Sequence, residues 1–263
     1  MNSLPELQTL HLEIEEDTLT AMINRPRRAN AVNRQLLRDL ISMADWLRDR
    51  SDVGYLVLAH QGDVFSAGAD LQELHDELSD EENRRSKMRS LQHLAQEMMV
   101  KLEGLEQISF AAMSGSAYGA GLAIAMTSDF RVMAENAVAN LPESRLGMFL
   151  TYGATPRLVG TVGLSRAKEM IMFAEDVSAQ DCLEWGIAQR VVPRDEVLPA
   201  VRDMIARLRI NDRTAIRIAK QMANASAAVA FGDMVRAEPQ LVGSTLGDGS
   251  VLTHLSAFLN RTP

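Results

Sequence analysis

Three short stretches hold the residues best able to do chemistry. Val64–Leu74, "VFSAGADLQEL", sets four small residues, Ser66-Ala67-Gly68-Ala69, in front of an acid, Asp70. Met113–Met126, "MSGSAYGAGLAIAM", turns through Gly119-Ala120-Gly121 into an apolar run. Ala139–Met148, "ANLPESRLGM", puts Glu143 directly after Pro142, between two apolar stretches. Small residues let a ligand approach main chain closely, and a turn that opens a helix leaves backbone N–H groups unpaired. Such groups favour negative charge, and a carboxylate beside them can move a proton. Each stretch also has a plainer reading. Small residues after a strand commonly make a tight turn, and an acid after proline commonly sits on a solvated loop. Residue chemistry alone supports an anion-friendly pocket in an α/β protein and names no reaction.

Several other chemistries lack their signatures. The chain has no G-x-x-x-x-G-K-[ST], G-x-G-x-x-G or G-x-S-x-G. Its histidines, at 11, 60, 75, 93 and 254, show no metal-ligand spacing, so no metal is expected. Cys182 stands alone, which leaves no internal disulfide and fits a reducing compartment. A formal net charge of -8 argues against nucleic acid as a partner, although a few local Arg residues suffice for a phosphorylated small ligand. The longest apolar candidate for a membrane span, Ala117–Met126, is short and Gly-rich, so no membrane partner is expected. The N-terminus is acidic and lacks a basic-then-apolar signal pattern; a cytoplasmic protein is the expectation.

The elements that must position these stretches follow from apolar runs and periodicity. Leu10–Ile14, Leu19–Asn24, Val53–Ala59, Ile108–Met113 and Phe130–Met133 read as strands. Asn33 can cap a helix whose Leu36, Leu37, Leu40, Ile41, Ala44 and Leu47 fall on one stripe. A longer, more charged helix is expected over Glu82–Leu102, giving strands followed by helices in an α/β core. After about Val192 the pattern turns helical, at Glu196–Leu208, Arg213–Asn224, Phe231–Leu241 and Ser250–Asn260, with "GSTLGDG" breaking the last two. Met148, Phe149, Met98 and Met99 suggest an adaptable apolar wall for a ligand.

Six segments occur in one order: "NRPRRANAV" (24–32), "FSAGADL" (65–71), "SGSAYGAGLAIAMTSDFRV" (114–132), "LPESRLGM" (141–148), "AEDVSAQDCLEWGIAQRVVP" (174–193) and "LSAFLNR" (255–261). Together they resemble the enoyl-CoA hydratase/isomerase, or crotonase, family over nearly the whole chain. The resemblance implies a crotonase-like ββα spiral core at 1–195 and a C-terminal helical oligomerisation region at 196–263. It also implies an acyl-CoA thioester as partner, a homotrimer or homohexamer, and no cofactor beyond the coenzyme A carried by the substrate.

The resemblance further assigns roles. Ala69 and Ala120 would give the two backbone N–H donors that hold the thioester oxygen, with Gly119 in the second turn. Ala67, Gly68, Asp70 and Leu71 would lie along coenzyme A. Arg28, or its neighbour Arg27, would meet the phosphates, and Phe258 and Arg261 would come from a neighbouring subunit. Hydratases of this family carry two glutamates; the matching positions here are Ala123 and Glu143. A single-glutamate proton shuttle, as in the family's Δ3,Δ2-enoyl-CoA isomerases, is therefore the expected chemistry. Hydration of 2-enoyl-CoA, and a non-catalytic CoA-binding member, are the alternatives.

Overall fold

The computed structural model describes residues 4–227 and 250–260. The expected helix over Phe231–Leu241, the "GSTLGDG" break and Arg261 lie outside the described residues, as does the Phe258 side chain.

Apolar runs build a six-stranded sheet in the order β1 (Leu10–Glu15), β2 (Thr18–Ile23), β3 (Tyr55–His60), β4 (Ile108–Met113), β6 (Phe130–Ala134) and β9 (Arg190–Val192). β1 pairs antiparallel with β2, and every later pair is parallel. Parallel strands are covered on both faces, which is why β3 and β4 read as unbroken apolar runs, buried almost throughout. The edge strand β1 instead alternates in burial.

A second, small sheet holds β5 (Ala117–Tyr118), β7 (Val138–Asn140) and β8 (Val177–Ser178). The chain repeatedly leaves the large sheet, touches this small one or a bridge beside it, then enters a helix. β3 runs into Ser66, which bridges Ala117, and then into α2 (Leu71–Ser79). β4 runs into β5 and α4 (Ala120–Met126). β6 runs into β7 and, after a 3-10 turn over Pro142–Leu146, into α5 (Ala154–Phe173). These are the ββα turns of a spiral. Each delivers the turn before its helix to one cavity, the first two turns being made of small residues.

Helix α1 (Arg34–Arg48) begins where expected: Asn33 Oδ1 accepts the Leu36 N–H at 2.9 Å. Its Leu36, Leu37, Leu40, Met43 and Leu47 are completely buried, each such side chain contributing roughly 1.5–3 kcal/mol. It packs on α3 (Arg84–Glu103). Met98 and Met99 of α3 lie wholly inside this core and do not line the cavity described below, so only Met148 and Phe149 of the expected wall do. Between α5 and β9 lies the short α6 (Ala179–Glu184). Beyond β9, α7 (Val197–Leu208) buries Val197, Val201 and Ile205 against β4, β6 and β9. α8 (Arg213–Ala227) is held by Lys220, whose Nζ stands 2.8 Å from an Asp129 carboxylate oxygen. The helix Ser250–Leu259 returns to pack on α2. No helix among the described residues is long and apolar enough to cross a membrane.

Candidate active site

The first turn is fixed by its own main chain. Asn30, completely buried, donates from Nδ2 to the carbonyls of Gln61 (2.7 Å) and Val64 (2.9 Å) and so ties down the loop after β3. Ser66 Oγ donates to Asn30 O at 2.8 Å. Ala69 forms a one-residue bridge with Val32, through Val32 N–H to Gly68 O (2.7 Å) and Asp70 N–H to Val32 O (2.9 Å). Those bonds use the residues on either side of Ala69. The Ala69 N–H itself points the other way and has no acceptor among the described residues.

The second turn is clamped onto the first. Tyr118 N–H donates to Ser66 O (2.9 Å), Phe65 N–H to Ser116 O (3.0 Å) and Gly119 N–H to Asn140 O (2.8 Å). The approach leaves no room for larger side chains. A Cβ on Gly121 would stand 2.4 Å from Ser66 Cβ, and one on Gly119, where φ is +46°, 2.6 Å from Glu143 Oε1. Ala120 is the first residue of α4, so its N–H has no intrahelical acceptor and finds no other among the described residues. Its φ is negative, so the Ala in place of the more flexible Gly carries no left-handed strain.

Both free N–H groups open onto one cavity of about 760 Å³. Ala67, Gly68, Asp70, Leu71 and Gly119 line it, as do Glu143 and Ala123. Ala123 lies one helical turn beyond Ala120 and is essentially fully buried. Glu143 sits in the 3-10 turn after β7; its Oε2 is enclosed and has no hydrogen-bond partner. Burial pushes its pKa up to about 7, while its own backbone N–H pulls weakly the other way. A carboxyl poised there exchanges a proton readily near neutral pH.

Asp70 has protein partners of its own as well, and Arg28 lies outside the cavity. Asp70 caps α2, accepting from Glu73 N–H at 3.4 Å, and pairs with Arg25 at 2.9 Å. Arg28 is exposed and lines a separate polar hollow beside the cavity, shared with Arg25, Asp70 and Lys87. Phe258 lies on the helix Ser250–Leu259, whose Ala257 reaches the cavity. Glu73, Gln92 and Tyr152, which sequence reasoning does not single out, also line the cavity. They stand on α2, on α3 and in the turn before α5, so no local spacing joins them.

Two fixed, unpaired N–H donors facing a carboxyl of near-neutral pKa suit one kind of step. The donors can hold an oxygen as it gains negative charge, and the carboxylate can take the proton whose loss creates that charge.

Comparison with known proteins gives this arrangement a setting. A family model described as enoyl-CoA hydratase/isomerase matches residues 13–263. A crotonyl-CoA hydratase of Syntrophomonas wolfei is 30% identical over 255 residues, covering 97% of this chain and 96% of the relative. A short-chain-enoyl-CoA hydratase of Clostridium acetobutylicum is 28% identical, over 97% and 96%. Among solved structures, human mitochondrial delta3-delta2-enoyl-CoA isomerase superposes with a TM-score of 0.86 at 22% identity, covering 97% of this chain and 98% of that one. At that identity the likeness speaks for the fold.

Proposed function

The chain belongs to the enoyl-CoA hydratase/isomerase family, which acts on acyl-CoA thioesters, and we propose that its reaction is Δ3,Δ2-enoyl-CoA isomerisation by a single-glutamate shuttle. In this reading the thioester oxygen accepts from the Ala69 and Ala120 N–H groups. Glu143, as carboxylate, takes a proton from C2 of a 3-enoyl thioester. The C2–H electron pair moves into the C1–C2 bond and the carbonyl π pair onto oxygen, giving a dienolate, with double bonds at C1–C2 and C3–C4, held by the two donors. Glu143 then returns the proton to C4, and the double bond ends between C2 and C3. Coenzyme A enters as part of the substrate, its phosphates toward the hollow that Arg28 lines, and no other cofactor is needed.

The observation that carries the reading is the pairing of Glu143, enclosed and near-neutral in pKa, with Ala123 at the place where a second acid would face the same cavity. One carboxyl suffices to carry a proton from C2 to C4. Hydration needs water held over C3 as well as a proton delivered to C2.

The test compares initial rates on a 3-enoyl-CoA and on crotonyl-CoA. Isomerisation is expected to exceed hydration, and Ala123→Glu to raise hydration. Crotonyl-CoA hydration on the order of 10² s⁻¹ or more would overturn the assignment. Hydration is the second reading, favoured by the names of the two sequence relatives and by Tyr118 and Tyr152, which line the cavity and offer O–H groups to a water. A trimer or paired-trimer assembly belongs to the same proposal. Leu164, Met172 and Phe173 on α5 expose apolar surface, and light scattering reads the mass.

A further inference from the structure

Away from the two turns, the cavity is walled by apolar side chains such as Leu74, Leu78, Met88 and Phe149. Three polar side chains interrupt that wall. Tyr152 and Gln92 are only 5% and 3% exposed, yet both face the cavity, with Glu73 beside them. The Tyr152 hydroxyl has no hydrogen-bond partner among the described residues. Gln92 Oε1 accepts the Tyr152 backbone N–H at 3.4 Å, which leaves the Gln92 Nε2 donors unused. Glu73 Oε1 accepts the Arg34 backbone N–H at 3.1 Å, which leaves its other oxygen open. A ligand that covers these groups without hydrogen-bonding them costs about 1–3 kcal/mol for each, so the wall favours a chain that can pair with them.

Tyr152 is also held in an unusual backbone state. Its φ is +62°, the left-handed region that a bulky residue rarely adopts, at a cost of about 1–3 kcal/mol. The following residue, Gly153, is left-handed too. The fold thus keeps a strained turn that aims a phenol into the acyl cavity.

We propose that Tyr152, Gln92 and Glu73 form a polar subsite that takes an acyl chain bearing a hydroxyl group, in preference to a plain hydrocarbon chain. The proposal rests on the acyl-CoA reading above and names the acyl class. A hydroxyl both donates and accepts. It can accept from the Tyr152 O–H or the Gln92 amide and donate to the free Glu73 oxygen. A carboxyl-terminated chain would instead meet the negative charge of Glu73. Glu77, one turn further along α2, is already neutralised by Arg34, with Nε 2.5 Å from Oε1, and offers such a chain no cation. Burial, together with the negative charges of Glu73, Glu143 and Glu77, outweighs Arg34 and raises the Tyr152 pKa above its ordinary value, which keeps the phenol protonated and a donor.

Binding of hexanoyl-CoA and of its hydroxylated derivatives, with the hydroxyl placed in turn at carbons 4 to 6, tests the proposal by titration calorimetry without any turnover. One hydroxylated derivative is expected to bind the wild-type protein about tenfold more tightly than hexanoyl-CoA. Tyr152→Phe is expected to abolish that preference while leaving hexanoyl-CoA affinity unchanged. Should that variant fail to fold, Gln92→Met takes its place with the same expectation. Equal binding of hexanoyl-CoA and its derivatives by the wild type, or a preference that survives the substitution, overturns the subsite alone. Failure of hexanoyl-CoA itself to bind overturns the acyl-CoA reading with it.

Discussion

The cavity has two walls made by different means. One is main chain: the turns at Ser66–Asp70 and Ser116–Gly121, locked by backbone hydrogen bonds and by glycines that a methyl group would jam. The other is side chain: Leu74, Met88, Gln92, Met148 and Tyr152, brought in by α2, α3 and the segment before α5. The first wall offers only fixed amide dipoles and does not vary with side-chain identity so long as residues stay small. The second offers shape and hydrogen bonds that change with each substitution. Chemistry common to many acyl groups belongs on the first wall, and the choice among acyl groups on the second. Glu143 stands where they meet, its Oε1 over Gly119 and its Oε2 enclosed.

The largest effect should come at that meeting point. Glu143→Gln keeps the shape and removes the base, so isomerase kcat should fall by about 10²–10⁴-fold. In the wild type, kcat/KM should rise with pH through about 7 as the carboxyl ionises, and the Gln variant should lose that limb. Unchanged turnover in Glu143→Gln, measured on a 3-enoyl-CoA, would move the acid-base group elsewhere. Next in size is Ala69→Pro. The Ala69 N–H has no acceptor among the described residues, so Pro breaks none of their hydrogen bonds while removing the donor proposed for the thioester. A loss of about 10²–10³-fold in kcat is expected, with circular dichroism showing the fold retained. Full activity in the folded variant would mean that the main-chain wall does not hold the developing charge.

The two walls differ as much in how they can be read from sequence. The main-chain wall is legible because its requirement is local: a strand, then small residues, then a helix. Glu143 is legible only through the order of six matched segments, since an acid after proline is unremarkable by itself. The side-chain wall is hardly legible at all. Met148 and Met98 look alike in sequence, yet one lines the cavity and the other fills the core between α1 and α3, and nothing within a few residues of either distinguishes them. Tyr152, Gln92 and Glu73 meet only because three separate elements converge. Asp70 shows one residue with two uses: the acid after the small residues lines the cavity, and it also caps α2 and pairs with Arg25.

A third effect is thermodynamic and turns on the sign of the Glu143 shift. Its folded pKa, about 7, lies above the ordinary value of 4.5, so between those pH values the folded state binds more protons than the unfolded state. Stability therefore falls as pH rises from about 4.5 to 7 and stays lower above that. Glu143→Gln removes this burden. The variant should be more stable than wild type at pH 8, by about 1–3 kcal/mol, and equal to it near pH 4. Urea unfolding at the two pH values measures the difference. A Gln variant less stable than wild type at pH 8 would show that the carboxylate is well solvated in the folded protein, and the case for a near-neutral base would fail.

The smallest effect sharpens the contrast between the walls. Met88 is 5% exposed and packs with Leu74, Leu78 and Leu255 beneath the acyl cavity. Met88→Leu nearly conserves volume, and such core exchanges usually cost less than about 1.5 kcal/mol. Because Met88 lines the cavity away from the two turns, the substitution should change KM among acyl chain lengths by a few-fold and leave kcat on the preferred chain alone. Gly119→Ala is also a change of a few atoms, but it falls on the other wall, where φ is +46° and the new Cβ would stand 2.6 Å from Glu143 Oε1. It should lower kcat for every acyl chain alike, by displacing the carboxyl from its place over the turn. Steady-state kinetics on a series of chain lengths separates the two outcomes. If Met88→Leu reduced kcat uniformly while Gly119→Ala changed only chain preference, the division of labour between main chain and side chain would be reversed.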